Sequence, residues 1–336
     1  MRASLGHLRS TFICALRACG GIGAVLKGRE IHEEIDREGF FETDILVGNA
    51  LVDMYAKCDA LVEAQEVFEK LPFQDIVSWT VLISGYAQHG HGEEALNEAL
   101  KCYKRMRGEG VPPNAVTFGC VLRACGIVGN IEKGEEVHVE VKKQGLLDKD
   151  VVLGTALVDM YAQCGALVRA QGVFDKLLSK NIVSWTSLMS GYVQHERSEE
   201  ALNCYKHLQH DGLSPDAVTF ICVLKACGNI GALAKGKEIH DNIVSWNFLE
   251  KDPALASALI DMYTKCGVLS KAEEALQELS IRNVASCSAL ISGYGQQGQC
   301  CKALDCYECM QNEGLFPDKV TFICILKACG STGAID

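Results

Sequence analysis

Several features that mark other protein classes are missing from this chain of 336 residues. No uninterrupted apolar run approaches the ~18–20 residues that a membrane helix needs, which excludes a membrane-spanning segment. Positive charge is scarce, since 32 Lys and Arg face 43 Asp and Glu for a formal charge of −11. That balance argues against a general electrostatic binder of nucleic acid. Strand-type alternation of apolar and polar residues is also missing, which leaves helical patterns as the main structural signal.

Cysteine, in contrast, is abundant, with 18 residues. In a small secreted protein so many cysteines would indicate a disulfide framework. Here they recur inside helical patterns beside Ala and Gly, and the chain is long enough to bury a core without covalent links. The sequence therefore predicts reduced thiols and a reducing compartment.

An internal repeat of roughly 102 residues organises the chain. The tripeptide Ala-Cys-Gly recurs along the chain. Two further blocks, Ala-Leu-Val-Asp-Met-Tyr and Val-Ser-Trp-Thr, return with the same offsets, the last copy of the second block being a looser match. The first interval is four residues longer because 94–100 reads as Glu-Ala-Leu written twice. Four residues are about one helical turn, so we expect the insertion to keep the apolar face in register. The copies of Ala-Cys-Gly lie at 18–20, 124–126, 226–228 and 328–330.

Each repeat divides into three modules when the turn residues are taken as boundaries. The modules have 36, 31 and 39 residues in the first repeat, and 36, 31 and 35 residues in the next two. We refer to them below as long, short and standard modules. They cover 9–44, 45–75, 76–114, 115–150, 151–181, 182–216, 217–252, 253–283 and 284–318, and a partial long module spans 319–336.

Each module has the pattern of two helices joined by a turn. In 182–216, apolar residues recur at i, i+3, i+4 and i+7 from Trp185 to Tyr192. Ser198 is the predicted N-cap of a second helix, which Gly212 and Pro215 close. A hairpin this short cannot bury its apolar stripes alone, so neighbouring hairpins must stack. The sequence predicts an all-α solenoid of nine complete hairpins and a partial tenth.

The two ends carry expectations of their own. Solenoids normally have polar capping repeats, and neither end of this sequence shows one, which suggests an excerpt of a longer protein. The first 26 residues contain three Arg and no acid, as organelle-targeting peptides do. Because the sequence from Arg9 onward aligns with the later modules, we favour the interpretation that this segment belongs to the first module.

Two motifs resemble a known family. The segments Val183–Tyr192 (Val-Ser-Trp-Thr-Ser-Leu-Met-Ser-Gly-Tyr) and Gly212–Phe220 (Gly-Leu-Ser-Pro-Asp-Ala-Val-Thr-Phe) are similar to pentatricopeptide repeats. The cycle of module lengths resembles the plant PLS class, and the resemblance covers about residues 9–336. It implies a right-handed superhelical solenoid of helix–turn–helix repeats that binds single-stranded RNA, one base per module, without a cofactor or a membrane.

The resemblance also assigns the residues that read each base. They are the residue at position 5 of a module's first helix and the last residue of the module. Short and standard modules supply six such pairs. Each pair resembles a combination that favours one base in the family. The pairs are Asn49 with Asp75 for U, Thr80 with Asn114 for A, Thr155 with Asn181 for A, Thr186 with Asp216 for G, Ser257 with Asn283 for A, and Ser288 with Asp318 for G.

Long modules depart from this pattern. Their position 5 is Gly or Ile, which offers no side-chain hydrogen bond, so Asp44, Asp150 and Asp252 lack a polar partner there. Their bases stay unassigned, and the expected target from 5′ to 3′ is unread, U, A, unread, A, G, unread, A, G. The residues at position 5 are Ile13, Gly119, Ile221 and Ile323.

The family resemblance further implies that position 2 clamps the base between aliphatic side chains. Simple packing at a helix start explains these residues equally well, and Ala254 and Ala285 would clamp only weakly. Lys57 and Lys265 occupy the position that meets phosphate in the family, where the other short and standard modules have uncharged Gln. The clamp candidates are Leu46, Val77, Val116, Val152, Val183, Val218 and Val320.

Some residues imitate catalytic or metal sites. His138-Val139-Glu140 matches the H-x-E of zinc deaminases, yet His138 is one copy of a position repeated in the three complete long modules. The cluster of Cys300, Cys301, Cys306 and Cys309 could offer thiolates to zinc, but Cys306 repeats an earlier Cys, and we favour core packing. The tryptophans of the repeated motif are likewise expected in the core, and the sequence predicts no enzyme.

The predicted function is site recognition for C-to-U editing of an organellar transcript, in a mitochondrion or a chloroplast. The chemistry would come from a deaminase or accessory protein acting in trans. A factor that stabilises or processes transcripts remains an alternative. A protein-binding scaffold of the tetratricopeptide type would instead show charged or aromatic residues at the fixed positions that hold Asn, Thr, Ser and Asp here.

Overall fold

The computed structural model describes residues 2–89, 93–147, 150–246, 248, 252–277, 279 and 282–332. These residues form twenty α-helices and no β-strand, which confirms the predicted all-α fold. Within the described residues, no helix combines the length and the apolar character needed to cross a membrane. The chain divides into two compact units, residues 1–179 and 180–336.

Unit 1 contains eleven helices, of which ten are the alternating first and second helices of successive modules and one is a four-residue helix at the end of the first module. The first helices are α1, α4, α6, α8 and α10, and each packs against the next, from α1 through to α10. The helices are α1 (Arg2–Ile22), α2 (Val25–Arg37), α3 (Phe40–Thr43), α4 (Ile45–Lys57), α5 (Leu61–Lys70), α6 (Ile76–His89), α7 (Glu93–Gly108), α8 (Ala115–Val128), α9 (Ile131–Lys143), α10 (Val151–Gln163) and α11 (Leu167–Phe174).

Unit 2 repeats this arrangement with nine helices. Its first helices are α12, α14, α16, α18 and α20, which again pack in sequence. In both units a second helix packs against the first helix of its own module, and most also contact the first helix of the next. The helices are α12 (Ile182–Gln194), α13 (Ser198–His210), α14 (Ala217–Ile230), α15 (Leu233–Ser245), α16 (Pro253–Lys265), α17 (Leu269–Gln277), α18 (Val284–Gln296), α19 (Cys300–Asn312) and α20 (Lys319–Thr332).

Helix starts follow the module boundaries from the second module onward. Each of the later first helices begins at the first residue of a module, such as Ile182 for α12 and Ala217 for α14. In the first module, α1 begins at Arg2, seven residues before the expected start at Arg9. The predicted N-cap at Ser198 is wrong by one residue, because Arg197 is the N-cap and Ser198 is already helical and buried. Its hydroxyl accepts a hydrogen bond from the Asn229 side chain at 3.4 Å instead.

The four-residue insertion lengthens one second helix. Helix α7 has 16 residues, whereas its counterparts α13 and α19 have 13. Leu96 in the added region is buried together with Leu100 and Tyr103 further along. The apolar face therefore continues through the extra turn, as a helical period requires.

The core lies between the two helices of each hairpin and between neighbouring first helices. Trp79 and Trp185 are both buried, as expected, and the Trp79 ring meets Phe68 edge-on at 4.5 Å. Gly134 shows how tightly the helices approach, because a Cβ there would lie 2.5 Å from the Met160 sulfur. None of the cysteines in the described part of the chain forms a disulfide, and most are buried or half-buried.

Candidate functional site

The first helices expose one narrow face. In α14, Val218, Lys225, Asn229 and Ile230 are exposed and Ile221 is half-buried, while nearly all other residues are buried. Counted from the first residue of the helix, these are positions 2, 9, 13, 14 and 5. At 100° per residue, positions 2, 5, 9 and 13 fall on one side of a helix. We call this face the first-helix stripe.

Every module ends on the N-cap of the next first helix. Asn114, Asn181, Asp216 and Asn283 have extended backbones with ψ between 166° and 179°, and each side chain accepts a hydrogen bond from the N–H at position 3 of the following helix. The sequence favours this geometry because Asn and Asp are strong N-caps. The last residue of a module thus lies beside the stripe for a structural reason.

Standard modules join the two predicted readers through a third side chain. The hydroxyls of Thr80 and Thr117 are 2.7 Å apart, and the Thr117 hydroxyl donates to Asn114 Oδ1 at 3.0 Å. The same chain links Thr186 to Thr219 at 3.1 Å and Thr219 to Asp216 at 2.6 Å. We call this arrangement the hydroxyl relay.

The third standard module repeats the relay. Ser288 and Thr321 have hydroxyls 2.6 Å apart, and Thr321 donates to Asp318 Oδ1 at 2.7 Å. The N–H and the hydroxyl of Thr321 hold the pKa of the Asp318 carboxyl below its usual value. The relay threonines are functional candidates that we did not predict. Their signal was present, since Val-Thr-Phe follows each standard module at the same offset.

Short modules bring their readers together directly. The Asn49 side-chain amide donates to Asp75 Oδ1 at 3.4 Å, and the Ser257 hydroxyl donates to Asn283 Oδ1 at 3.2 Å. Asn49 Oδ1 is buried and accepts no hydrogen bond from the described residues. This oxygen is an acceptor that the protein leaves unsatisfied.

One pair spans the two units. Thr155 belongs to unit 1 and Asn181 to unit 2. The Thr155 hydroxyl donates to the carbonyl of Val151 at 2.9 Å, and Asn181 caps α12 through Ser184. The structure therefore places each residue at its expected helix position, and five of the six pairs are linked within one unit by hydrogen bonds.

At Asp216 and Asn114 the cap occupies only one side of the side chain, whereas the Asn283 amide also donates to the Pro253 carbonyl at 3.3 Å. Oδ1 of Asp216 accepts the hydrogen bonds of the cap, whereas its second oxygen accepts none from the described residues. The Asn114 amide nitrogen likewise donates no hydrogen bond there, because only Oδ1 takes part in the cap. A carboxylate oxygen can accept from a base N–H, and an amide can donate to a ring nitrogen. The chemistry left open thus differs between Asp and Asn modules.

Long modules differ in backbone as well as in sequence. Their last residues Asp44, Asp150 and Asp252 have ψ near 100° (101°, 99° and 100°), and each accepts from the N–H at position 2 of the next helix. Asp44 also contacts Arg9 of its own module at 3.5 Å, so it has a charged partner although its position 5 is Ile13. The N-caps at the ends of the long modules therefore differ in backbone ψ from the N-caps at the ends of the modules predicted to read a base.

The clamp candidates at position 2 are the exposed apolar residues of the stripe. Their exposed fractions run from 48% for Val77 to 76% for Val152. About half or more of each of these residues is therefore accessible to a ligand, and the rest packs at the helix start. The remaining candidates Leu46, Val116, Val183, Val218 and Val320 are 50–62% exposed.

The two candidate phosphate contacts are already paired. Lys57 bonds to Asp53 at 2.6 Å and Lys265 to Asp261 at 2.8 Å, each one turn earlier on the same helix. In the corresponding helix α10, Gln163 donates to Asp159 at 2.8 Å. Burial raises the pKa of the Asp159 carboxyl. These lysines contribute little net positive charge to the stripe.

The residues that imitate catalytic sites have structural partners. His138 Nδ1 lies 2.9 Å from the Tyr161 hydroxyl, and burial lowers the pKa of the imidazole. The same His–Tyr contact recurs at 3.0 Å and 2.8 Å in the other two repeats. In the cysteine cluster, Cys300 is buried while Cys301 and Cys309 are exposed. Burial raises the pKa of Cys306 to about 12, and the described residues contain no group of three potential metal ligands.

Comparison with known proteins decides the family. The PPR repeat family matches residues 74–126, 180–229 and 282–331, and the PPR repeat matches 49–74, 116–146, 155–182 and 256–284. Together these matches cover more than half of the sequence. The chain belongs to the pentatricopeptide repeat family.

Relatives in Arabidopsis thaliana align over nearly the whole pentatricopeptide chain. Pentatricopeptide repeat-containing protein At5g27110 is 38% identical over 322 residues, which are 96% of this chain and 46% of the relative. A mitochondrial relative, At2g03380, is 35% identical over 97% of this chain and 46% of its own length. A chloroplastic one, At1g15510, is 34% identical over 97% of this chain and 37% of its own length. The chain spans about half the length of the curated relatives that it matches.

Solved structures support the solenoid fold. The pentatricopeptide repeat protein PPR10, solved in complex with an 18-nucleotide psaJ RNA element, superposes with a TM-score of 0.73. The match covers 90% of this chain and 45% of the other, at 18% sequence identity. At this identity the likeness concerns the fold.

Proposed function

We propose that this chain binds single-stranded RNA and reads one base with each short and standard module. The observation that carries the proposal is the hydrogen-bonded link between position 5 and the end of a module, found in five pairs beside the exposed stripe. Aliphatic side chains at position 2 flank these pairs and are exposed. A flat base can enter between two such side chains and present its Watson–Crick edge to the polar pair.

The atoms left open by the caps support the base assignment. Guanine and uracil present a ring N–H, which the second oxygen of Asp216 or Asp75 can accept. Adenine presents a ring nitrogen acceptor instead, which the amide of Asn114 can meet. Position 5 then separates purine from pyrimidine, because the longer Asn49 reaches further than Thr or Ser. The proposed target is unread, U, A, unread, A, G, unread, A, G.

The comparisons add support for an organellar RNA ligand. PPR10 was solved with a single RNA element, and several relatives are named mitochondrial or chloroplastic. The cycle of 36-, 31- and 35-residue modules resembles the class of repeat proteins that select editing sites. We therefore extend the proposal to recognition of a C-to-U editing site, with the deamination supplied by a separate domain or by a partner in trans.

Binding is tested with the purified chain and a fluorescein-labelled RNA whose core reads U-U-A-U-A-G-U-A-G. We expect an affinity at least ~10-fold higher than for the same nucleotides in shuffled order, because a matched hydrogen-bonding contact to a base is worth ~1–3 kcal/mol. The DNA strand of the same sequence is the control for backbone chemistry. Equal affinity for matched and shuffled RNA would refute base reading.

The role after binding is tested in the source organism. Loss of the gene should abolish one C-to-U edit downstream of a matching sequence while the ends of that transcript stay in place. Lost or shifted transcript ends with all edits intact would instead establish the stabilising or processing role and overturn the editing proposal.

A further inference from the structure

Position 9, counted from the first residue of each module, has a chemistry that depends on module type. It is Ser in every standard module and Asp in every short module. In every long module it is basic. The long-module residues are Arg17, Arg123, Lys225 and Lys327, and the short-module acids are Asp53, Asp159 and Asp261.

Three of these cations are exposed and unpaired. Arg17, Arg123 and Lys225 form neither an ion pair within 4 Å nor a side-chain hydrogen bond with the described residues. Lys57 and Lys265, the candidate phosphate contacts, both have a carboxylate partner. The stripe thus keeps its uncompensated positive charge in the modules that lack a polar reader.

The acids of the neighbouring short modules do not account for these cations. Asp53 is bonded to Lys57 and Asp261 to Lys265 on their own helices. Asp159 accepts a hydrogen bond from Gln163. Arg123 lies near enough to Asp159 to lower the pKa of its carboxyl, yet burial outweighs this and the pKa is raised. A cation placed only to neutralise Asp159 would form a direct pair.

The position on the helix fits a ligand bound along the stripe. Position 9 follows position 2 by seven residues, which places it about 10 Å further along the helix and only ~20° around it. In α14, Val218 and Lys225 are therefore on one line, with the half-buried Ile221 between them. A base flanked by Val218 would leave its phosphate within reach of the flexible Lys225 side chain.

We propose that the long modules hold the RNA backbone, with Arg17, Arg123 and Lys225 each contacting a phosphate, while the short and standard modules read bases. This inference rests on the proposed RNA binding. It assigns a positioning role to modules whose position 5 is apolar. It also assigns the phosphate contacts to cations without a carboxylate partner instead of to Lys57 and Lys265, which are paired with Asp53 and Asp261.

The expected effect follows from counterion release. Each phosphate contact to a single strand contributes a slope of about −0.7 to the dependence of log affinity on log salt concentration. Removing one contact should thus weaken binding by roughly 5-fold at 0.1 M salt and reduce the slope by ~0.7. The triple variant Arg17→Gln, Arg123→Gln, Lys225→Gln should lose roughly 100-fold in affinity and ~2 in slope.

The experiment measures affinity for the matched RNA between 0.05 and 0.5 M KCl, a range of roughly one decade that resolves such slopes. The matched control is Lys237→Gln, because Lys237 is an exposed cation of the same module as Lys225 but lies on the second helix α15. We expect Lys237→Gln to keep the wild-type affinity and slope. Preference for matched over shuffled RNA should persist in the triple variant, since no base reader is altered.

The outcomes separate this inference from the proposed function. Wild-type protein that binds no RNA, or binds all sequences equally, refutes base reading itself. Sequence-selective binding with an unchanged slope in the triple variant overturns the inference alone. A slope that falls in Lys57→Gln and Lys265→Gln but not in the triple variant also overturns it and returns the phosphate contacts to those lysines. Circular dichroism of each variant establishes that it is folded.

Discussion

Thr186 offers the sharpest test of base reading. It is 8% exposed, its hydroxyl lies 3.1 Å from that of Thr219, and Thr219 donates to Asp216 at 2.6 Å. The variant Thr186→Asn would reproduce the combination of Asn49 with Asp75, which the protein itself accommodates with Asn49 only 5% exposed. We expect the base read by this module to change from G to U.

The magnitude can be worked from the contacts exchanged. The variant loses the hydroxyl contacts to Thr219 and to the Ile182 carbonyl at 2.8 Å, worth about 0.5–1.5 kcal/mol net each, and gains one amide bond to a charged carboxylate, worth about 1.5–3 kcal/mol. Stability should therefore change by less than about 2 kcal/mol. Discrimination between bases by a good hydrogen-bonding pair is worth ~1–3 kcal/mol, which corresponds to roughly 5- to 150-fold in relative affinity.

The assay is competition of unlabelled RNAs against a labelled matched strand, monitored by fluorescence anisotropy. Competitors differ only in the base facing the 182–216 module, which is G, U, A or C. Wild-type protein should prefer G there and Thr186→Asn should prefer U. The other positions of the RNA stay constant, so any change in selectivity belongs to this module.

Two controls make the result decisive. Thr186→Ser keeps the hydroxyl and should keep the preference for G. Thr219→Val removes the middle of the relay without altering either predicted reader, and it should weaken the preference at this base while leaving the others intact. An unchanged preference for G in Thr186→Asn, in a folded protein, would refute the assignment of Thr186 as a reader.

Three further predictions concern the same features. Asn283→Asp keeps the N-cap of α18 but loses the amide's bond to the Pro253 carbonyl at 3.3 Å, so it should change the base of its module from A to G at a smaller loss of stability than Asn283→Ala. Asn283→Ala should cost about 0.5–2 kcal/mol in urea unfolding, and a shift in base preference without any stability loss in the Ala variant would contradict the double role. Trp79→Ala should destabilise unit 1 by ~3–5 kcal/mol because the indole is fully buried against Phe68, and Trp79→Phe should cost much less, which thermal unfolding can compare. Burial lowers the pKa of the His138 imidazole in the folded protein, so as the pH falls the unfolded chain binds a proton before the folded one does. The free energy of unfolding should therefore keep its full value above the unfolded pKa near 6.5 and decrease as the pH drops through that value. In His138→Gln this decrease should be smaller.

The sequence predicted much of the architecture because the repeat multiplies each signal. A helix boundary that is ambiguous in one module is supported by its copies, and the starts of α12 and α14 show this agreement. Ser198 was assigned wrongly because a Ser before two Glu is typical of an N-cap, whereas the structure buries this residue inside the first turn. Local propensity cannot reveal that a neighbouring helix covers the residue.

The candidate site was less visible from the sequence. Positions of the readers followed from the family resemblance, but the relay residues Thr117 and Thr219 did not, because they belong to the next module and become neighbours only when the hairpins stack. The pairing of Lys57 with Asp53 was readable from their spacing of four residues, which favours a helical ion pair. Family resemblance concealed it by suggesting another role for the lysine.

Cap geometry differs between the modules predicted to read a base and the long modules. In the modules predicted to read a base, Asn114, Asn181, Asp216 and Asn283 accept from the N–H at position 3 with ψ between 166° and 179°. In the long modules ψ of the last residue is near 100°, and its carboxylate accepts from the N–H at position 2, with a second bond from position 3 in two of the three. A polar side chain at position 5, such as Ile221→Thr, would therefore lack a properly placed partner in Asp252. The proposed reading of a base requires both a polar position 5 and a cap with ψ near 170°, and a long module lacks both while presenting an exposed cation such as Lys225 at position 9.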